Sequence, residues 1–214
     1  MALKAILFDL DGTLIDSTEW HLRSFQQLWK LFGKKLSRKK ISPLIRWSTE
    51  DVYFKLNVKK YFGIDLEKFI QLRRQIFYAQ IQHKSLAFPN AISLVKKVKK
   101  NRKVALVTNS SRITTVHSAP KALLRLFSVI ITYDDVLHGK PNPEPLLKAC
   151  KKLRVSPRDA IMVGDSTLDL LAAKRAKMRA IAVCGGSSPR KELQKLKPLK
   201  VCRNLKEVQK FLLD

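Results

Sequence analysis

A short apolar run that ends in two closely spaced acids is the feature that most constrains this chain. Ala5–Phe8 is entirely apolar, as a strand buried on both faces requires, and it passes directly into Asp9 and Asp11. Side chains at i and i+2 of an extended segment point to the same side, so both carboxylates would leave the strand together, and Gly12 would allow a sharp exit. Such a pair suits a nucleophile beside a proton carrier, or it forms an ordinary turn or helix cap.

Polar groups also follow a second run of strand-forming residues. Lys103–Val107 ends in Thr108 and Asn109, where a hydroxyl and a row of backbone N–H groups suit a phosphate oxygen or an ordinary helix N-cap. Further along, Lys140 lies in a turn whose backbone is fixed by the prolines that follow it, Pro141, Pro143 and Pro145. There it is either solvated or held over a phosphate as a fixed positive charge.

A third apolar run leads into another pair of acids. Residues 160–163 are followed by Gly164 and Asp165, and Asp169 comes four positions later. Two carboxylates near the end of a strand form a hard oxygen site that suits Mg²⁺.

The ordered set of acid pair, hydroxyl, lysine and second acid pair resembles the haloacid dehalogenase superfamily. The resemblance covers essentially the whole chain. It implies an α/β fold: a Rossmann-like three-layer core with a parallel sheet, the site at the carboxyl ends of its strands, and an inserted α-helical cap.

The resemblance also implies roles for individual residues. Asp9 would form an aspartyl-phosphate, Asp11 would protonate the leaving group and then activate water, and Lys140 would complete the catalytic set. The residues implied in phosphate or substrate binding are Thr108, Asn109, Lys140, Gly12 and His21. Those implied in Mg²⁺ binding are Asp9, the backbone carbonyl of Asp11, Asp165 and, directly or through another ligand, Asp169.

Two segments bear on the branch of the superfamily. Phosphatases and phosphomutases carry an acid at the position of Asp11, whereas dehalogenase and phosphonate-cleaving members lack one. Residues 16–21 resemble the cap entry of phosphoglycolate phosphatases and β-phosphoglucomutases, so His21 either touches substrate or packs. Gly164 and Thr49 stand where a mutase would have an acid and a phosphate-gripping cap-loop arginine, which favours a hydrolase.

The strand-like runs disappear between the first acid pair and the second strand. Helical spacing over residues 17–85 predicts the cap, with residues 1–16 and 86–214 forming the core. Arg46 and Trp47 stand where relatives often have a small residue, and they serve either specificity or packing. Lys177 replaces a usual helix-ending glycine, so a slightly strained turn is expected there.

The charge is not explained by the resemblance. The chain has 43 Lys+Arg against 17 Asp+Glu, a formal net charge of +26, with basic runs at residues 33–40 and 96–103. These runs either attract nucleic acid or form a solvated surface, which we favour because no aromatic residues interleave them. No apolar stretch reaches the roughly 18–20 residues that span a bilayer, and no signal peptide precedes the first strand, so we expect a cytoplasmic protein with no membrane partner. Three widely spaced cysteines predict buried reduced thiols.

The sequence therefore predicts a Mg²⁺-dependent phosphatase that hydrolyses a small anionic phosphate monoester through a phosphoaspartyl intermediate, with phosphoglycolate as the leading candidate. A phosphomutase or pyrophosphatase of the same superfamily is one alternative. A basic nucleic-acid-binding protein on a phosphatase scaffold is the other. The oligomeric state stays open.

Overall fold

The computed structural model describes residues 3–82 and 84–213, and its centre is a single parallel sheet. The strands are β1 Ala5–Phe8, β2 Lys103–Val107, β3 Val129–Ile131, β4 Ala160–Gly164, β5 Arg179–Val183 and β6 Lys200–Cys202. They pair in the order β3-β2-β1-β4-β5-β6, so β1 is central and lies between β2 and β4.

Helices cover both faces of this sheet. The helices that follow β1 before β2 are α1 Thr18–Leu31, α2 Arg38–Ile41, α3 Thr49–Lys55, α4 Val58–Phe62, α5 Leu66–Ile81 and α6 Ala91–Lys99. The later ones are α7 Arg112–Ser118, α8 Lys121–Leu124, α9 Glu144–Leu153, α10 Thr167–Arg175, α11 Arg190–Lys195 and α12 Leu205–Leu213. Short 3-10 helices occupy Leu44–Arg46, Tyr133–Asp135 and Pro157–Asp159.

The apolar character of β1 is explained by two hydrophobic cores. Ile6 and Phe8 pack into a cluster with α6 and α12, whereas Ala5 and Leu7 pack into a second cluster with α9 and α10. All of β1 is buried because alternate side chains enter opposite layers. This three-layer arrangement confirms the predicted Rossmann-like fold class.

The helical insert has a hydrophobic core of its own. Phe25, Leu28 and Trp29 of α1 are buried against Phe69 of α5. The helical period of the apolar residues predicts that Ala79 also faces inward from α5, but Ala79 is exposed. The separate cluster supports our proposal that this insert is a cap domain.

Two chain segments that run side by side connect the insert to the sheet. The N–H of Asp16 donates to the carbonyl of Leu86 at 2.6 Å, and the N–H of Phe88 donates to the carbonyl of Leu14 at 3.0 Å. This paired junction holds the insert over the carboxyl ends of β1 and β2. Within the described residues, no helix combines the length and apolar character needed to span a bilayer.

Other sequence expectations concern single residues. Lys177 has a positive φ of 55°, the left-handed conformation that glycine adopts without steric cost, so the expected strain is present. All three cysteines are free, as expected, and Cys150 and Cys202 are buried. Cys184 is only half-buried, because it lies at the end of β5 beside the solvent-exposed Arg190.

Candidate active site

The central strands bring the predicted acids to one edge of the sheet. Asp9 follows β1 and Asp165 follows β4, its hydrogen-bonded neighbour. Asp169 reaches the same point from the first turn of α10. One carboxylate oxygen from each of the three lies within 4.8 Å of the others, and all three residues are buried.

Lys140 lies inside this acidic cluster. Its Nζ is 2.6 Å from Asp9 Oδ1, 2.6 Å from Asp169 Oδ1 and 2.9 Å from the carbonyl oxygen of Val107. Burial acts to lower the pKa of Lys140, but Asp169 and Asp9 outweigh it and raise that pKa above its ordinary value. Lys140 is therefore a fixed buried cation and not a solvated surface lysine.

Asn109 holds the backbone of Lys140 in place. Its Oδ1 accepts from the N–H of Lys140, and its Nδ2 donates to the carbonyl oxygen of the same residue, both at 2.8 Å. The side chain of Asn109 is thus engaged at both ends. The sequence-based assignment of Asn109 to phosphate binding stays a prediction. The contacts that Asn109 makes in the structure hold the backbone of Lys140.

One lysine cannot balance the negative charge of the cluster. The hydroxyl of Thr13 lies 3.2 Å from Asp9 Oδ2 and 3.1 Å from Asp165 Oδ1, and its single proton can serve one carboxylate at a time. Burial raises the pKa of Asp9 well above its ordinary value, Lys140 opposes the shift, and Asp169 adds to it. Burial and Asp169 likewise raise the pKa of Asp165. These shifts indicate a site that a divalent cation would complete, and a buried set of carboxylate oxygens fits Mg²⁺.

Asp169 also caps the amino end of helix α10 together with Ser166. Its Oδ2 accepts from both the N–H of Ser166 at 3.0 Å and the hydroxyl of Ser166 at 2.6 Å, while its Oδ1 accepts from Lys140. A Cβ on Gly164 would lie 2.5 Å from Asp169 Cγ. An acid at position 164 is therefore incompatible with this placement of Asp169.

Gly12 has the backbone conformation expected of a sharp exit from β1. Its φ is +78°, and a Cβ there would lie 2.7 Å from Asp165 Oδ2. Its N–H donates to the carbonyl of Ile15 at 2.8 Å, so it already has an acceptor. Gly12 shapes the site through its missing side chain, and its contact with phosphate stays a prediction.

The carboxylate of Asp11 turns away from the acidic cluster and toward the insert. Its Oδ1 accepts from the hydroxyl of Ser17 at 2.7 Å and lies 3.1 Å from His21 Nε2. Its Oδ2 accepts from the hydroxyls of Ser110 at 2.7 Å and Thr108 at 3.4 Å. Burial alone would raise the pKa of Asp11, but His21, Ser110 and Ser17 together hold that pKa well below its ordinary value.

Arg73 stands behind His21. Its Nη2 lies 2.7 Å from His21 Nδ1 and its Nη1 donates to Thr49 Oγ1 at 3.1 Å. Because a guanidinium can only donate, Nδ1 accepts and the imidazole proton lies on Nε2, where it points to Asp11. Burial lowers the pKa of His21, and the ring stacks on Phe77 at 4.4 Å. His21 therefore serves as a neutral donor that orients Asp11.

Arg73 is a residue of this site that was not predicted from the sequence. Phe69, Arg73 and Phe77 are spaced by four residues and are the buried side of α5 in its middle turns. A basic residue in the middle of an apolar helical face was the signal available in the sequence. Burial lowers the pKa of Arg73 to about 10, and the guanidinium lies 4.3 Å from the centre of the Phe25 ring.

The insert and the sheet enclose a cavity of about 60 Å³ above these residues. Arg46 crosses from the insert to the sheet side: its Nε donates to the carbonyl of Ser187 at 3.1 Å, and its Nη1 is 3.1 Å from Glu192 Oε2. Trp47 lies beneath Lys55, whose Nζ is 3.8 Å from the ring centre. Through these contacts Arg46 links the insert to the core.

Comparison with known proteins identifies the family. Residues 6–183 match the family model described as haloacid dehalogenase-like hydrolase. The chain belongs to this family. The resemblance inferred from the ordered acids, hydroxyl and lysine is thereby confirmed, and the chain is a hydrolase of the haloacid dehalogenase superfamily.

Individual relatives of this haloacid dehalogenase-like hydrolase are similar over almost their whole length. It is 30% identical over 211 residues to the pyrophosphatase PpaX of Oceanobacillus iheyensis, covering 97% of this chain and 96% of that protein. It is 32% identical over 201 residues to the pyrophosphatase PpaX of Bacillus cereus, covering 92% and 91%. The structure of a hydrolase from Pseudomonas syringae superposes with a TM-score of 0.86 at 27% identity, covering 98% and 97%.

Arg73 and its neighbour offer a matched test of the Asp11 contacts in this hydrolase. We expect Arg73→Met to lower turnover at least about tenfold, because His21 would lose the donor that fixes its tautomer and Asp11 would be less well oriented. Arg74 also lines the cavity but is not bonded to His21 in the described part of the chain. Arg74→Met should therefore change turnover less, as steady-state kinetics would show; equal losses in the two variants would contradict the orienting role.

Proposed function

We propose that the protein is a Mg²⁺-dependent phosphohydrolase that removes phosphate from a small anionic substrate, with Asp9 as nucleophile. The observation that supports this most strongly is the position of Asp9 between a buried lysine and a second acid. Lys140 holds one oxygen of Asp9 at 2.6 Å, and the other lies 3.2 Å from the hydroxyl of Thr13, which is also 3.1 Å from Asp165 Oδ1. This arrangement presents an oriented carboxylate beside positive charge at the carboxyl end of the central strand.

The reaction would proceed in two displacements. A carboxylate oxygen of Asp9 forms a bond to phosphorus while the bond to the leaving oxygen breaks, and that oxygen takes a proton from Asp11. Water then attacks the phosphorus of the aspartyl-phosphate, Asp11 accepts the proton of the water, and the Asp9 carboxylate is released with inorganic phosphate. Thr108 and Lys140 would hold the phosphoryl oxygens.

The proton on Asp11 would depend on the substrate. Without substrate, His21 and two hydroxyls hold the pKa of Asp11 low, and the group is an ionised carboxylate. A phosphate dianion beside it raises that pKa, because a second negative charge disfavours the ionised form. Asp11 would thus take up its proton when substrate binds.

The acid cluster would hold the metal through Asp9 and Asp165, with a contribution from the backbone carbonyl of Asp11. Bound Mg²⁺ would neutralise the repulsion between the carboxylate nucleophile and the phosphoryl group. Asp169 has both oxygens engaged, with Lys140 and Ser166, so we propose that it supports the site by holding the lysine.

Inorganic pyrophosphate is the first substrate candidate. Relatives that are 30% and 32% identical over more than nine tenths of this chain are named pyrophosphatases. A cavity of about 60 Å³ suits a small substrate. Phosphoglycolate, a monoester of similar size favoured by the resemblance of residues 16–21, is the second candidate.

A panel of phosphorylated compounds would test this function. Phosphate release would be measured with Mg²⁺ from pyrophosphate, phosphoglycolate, sugar phosphates and nucleotides, with the Asp9→Asn protein as the blank. We expect the highest kcat/KM for pyrophosphate. A higher kcat/KM for phosphoglycolate than for pyrophosphate would indicate a monoester substrate. No phosphate release from any compound of the panel would reject the hydrolase mechanism.

Metal binding can be measured without turnover. Mg²⁺ at about 100 times its Kd should raise the Tm of the protein by roughly 5–10 °C. The Asp165→Asn variant should lose most of this increase, since a neutral amide is a weaker ligand. Asp159→Asn is the control, because Asp159 pairs with Lys4 away from the cluster. An equal Mg²⁺ response in Asp165→Asn and wild type would contradict the assigned ligand.

A further inference from the structure

A basic groove lies at the amino-terminal edge of the sheet, opposite the candidate active site. Its walls come from the residues just before β1, β2 and β3 and from the end of α9, and it is an open depression of about 630 Å³. The basic side chains that line it are Lys4, Lys99, Arg102, Lys103 and Arg154. They come from three segments that are distant in sequence, and the parallel topology gathers these segments because it places the amino ends of neighbouring strands together.

The basic side chains of the groove differ in whether they have a partner. Lys4 pairs with Asp159 at 3.0 Å, and Lys103 Nζ donates to the carbonyl oxygen of Leu153 at 2.7 Å. Lys99, Arg102 and Arg154 form no ion pair with any residue in the described part of the chain. No carboxylate lines the groove among the described residues. Its potential is therefore strongly positive, and three of its side chains are uncommitted.

Helix α6 extends this positive surface. Leu94, Val95 and Val98 are buried against the sheet side, which leaves Lys96, Lys97 and other lysines of the basic run on the exposed side. At 1.5 Å per residue the helix is about 14 Å long. A surface of that length suits several successive phosphates better than one small anion.

We propose that this groove, together with the exposed side of α6, binds the phosphodiester backbone of double-stranded nucleic acid. Lysine and arginine neutralise phosphates without regard to sequence. Single-stranded ligands usually stack their bases on aromatic side chains, and no aromatic residue lines the groove in the described range. The surface faces away from Asp9 and the acid cluster, so binding is compatible with turnover at the active site.

Two charge-matched triple variants test the proposal. The groove variant combines Lys99→Gln, Arg102→Gln and Arg154→Gln. The control variant combines Lys34→Gln, Lys35→Gln and Lys39→Gln in the other basic run, whose lysines are exposed on the insert. Both remove three positive charges, so the long-range effect of net charge is the same in each.

Binding of a fluorescent 20-base-pair duplex, as DNA and as RNA, would be measured between about 50 and 200 mM salt. We expect the groove variant to bind at least about tenfold more weakly than wild type, with a log K against log salt slope flatter by up to roughly 2.7, or about 0.9 per lost phosphate contact. The control variant should stay within about threefold of wild type. Unchanged phosphate release by the groove variant would show that it is folded.

Several outcomes would overturn the proposal. Equal weakening in the two triple variants would assign the binding to net charge alone. Displacement of the duplex by inorganic polyphosphate at far lower phosphate concentration than by unlabelled duplex would assign the groove to another polyanion. No duplex binding by wild type at about 150 mM salt would reject it.

Discussion

Asp9→Asn is expected to lower turnover at least about a thousandfold, because the change keeps the size of the side chain and removes the attacking anion. Asparagine can still accept a hydrogen bond from Lys140, whose Nζ now lies 2.6 Å from Asp9 Oδ1. Burial and neighbouring acids make the charge of Asp9 costly in the absence of metal. The variant should therefore fold at least as stably as wild type without Mg²⁺.

Loss of activity in Asp9→Asn thus separates chemistry from folding. Phosphate release, the Tm without Mg²⁺ and the intact mass, which excludes conversion of the asparagine back to aspartate, would be measured on the same preparation. Turnover within about tenfold of wild type in a mass-verified variant would show that Asp9 is not the nucleophile.

The fold was predictable because its main signals are local. Ala5–Phe8 and residues 160–163 are continuous apolar runs, which a strand needs when helices cover both faces of a parallel sheet. The polar residues that follow such runs gather at the carboxyl edge in any fold of this kind. The grouping of Asp9, Asp165 and Asp169 follows from that rule, and the structure has them within 4.8 Å of one another.

The contacts between side chains from distant segments were less predictable. Asn109 has the same local pattern whether it binds a phosphate or holds Lys140, which is 31 positions away. The role of Arg73 depends on His21, which is 52 positions away and reaches it only when α1 packs on α5. Periodicity predicts which side of a helix is buried, but it does not predict which polar group from another segment will contact a residue on that side.

The two basic runs show the same limit of prediction from sequence, since the surroundings of a run depend on distant segments. In sequence they look equivalent, yet the run around Lys99 and Arg102 lines a groove together with Lys4 and Arg154 from separate segments. In the other run, Arg38 pairs with Glu19. Spatial convergence, and not the number of lysines in a run, distinguishes the groove from the exposed lysines of the insert.

Lys140→Met should abolish most activity and also destabilise the protein. Methionine fills a similar volume, but Asp9 Oδ1, Asp169 Oδ1 and the carbonyl of Val107 each lose a donor within 2.9 Å. Removing one partner of a buried ion pair costs about 3–5 kcal/mol, and this lysine is 3% exposed with two carboxylate partners. Turnover should fall at least about a thousandfold, because the cation that orients Asp9 and holds a phosphoryl oxygen is gone.

Lys103→Met is the matched control for this prediction. Lys103 Nζ also donates to a backbone carbonyl, that of Leu153 at 2.7 Å, but it lies at the opposite edge of the sheet. Losing that single bond should cost about 1 kcal/mol and leave turnover unchanged. Urea unfolding would give the stability of each variant, and kinetics well below both Tm values would give turnover. If Lys140→Met is destabilised but turns over normally, Lys140 is a structural counter-ion alone. If Lys140→Met loses both stability and turnover while Lys103→Met keeps its turnover, the same buried charge holds the acid cluster together and orients the nucleophile.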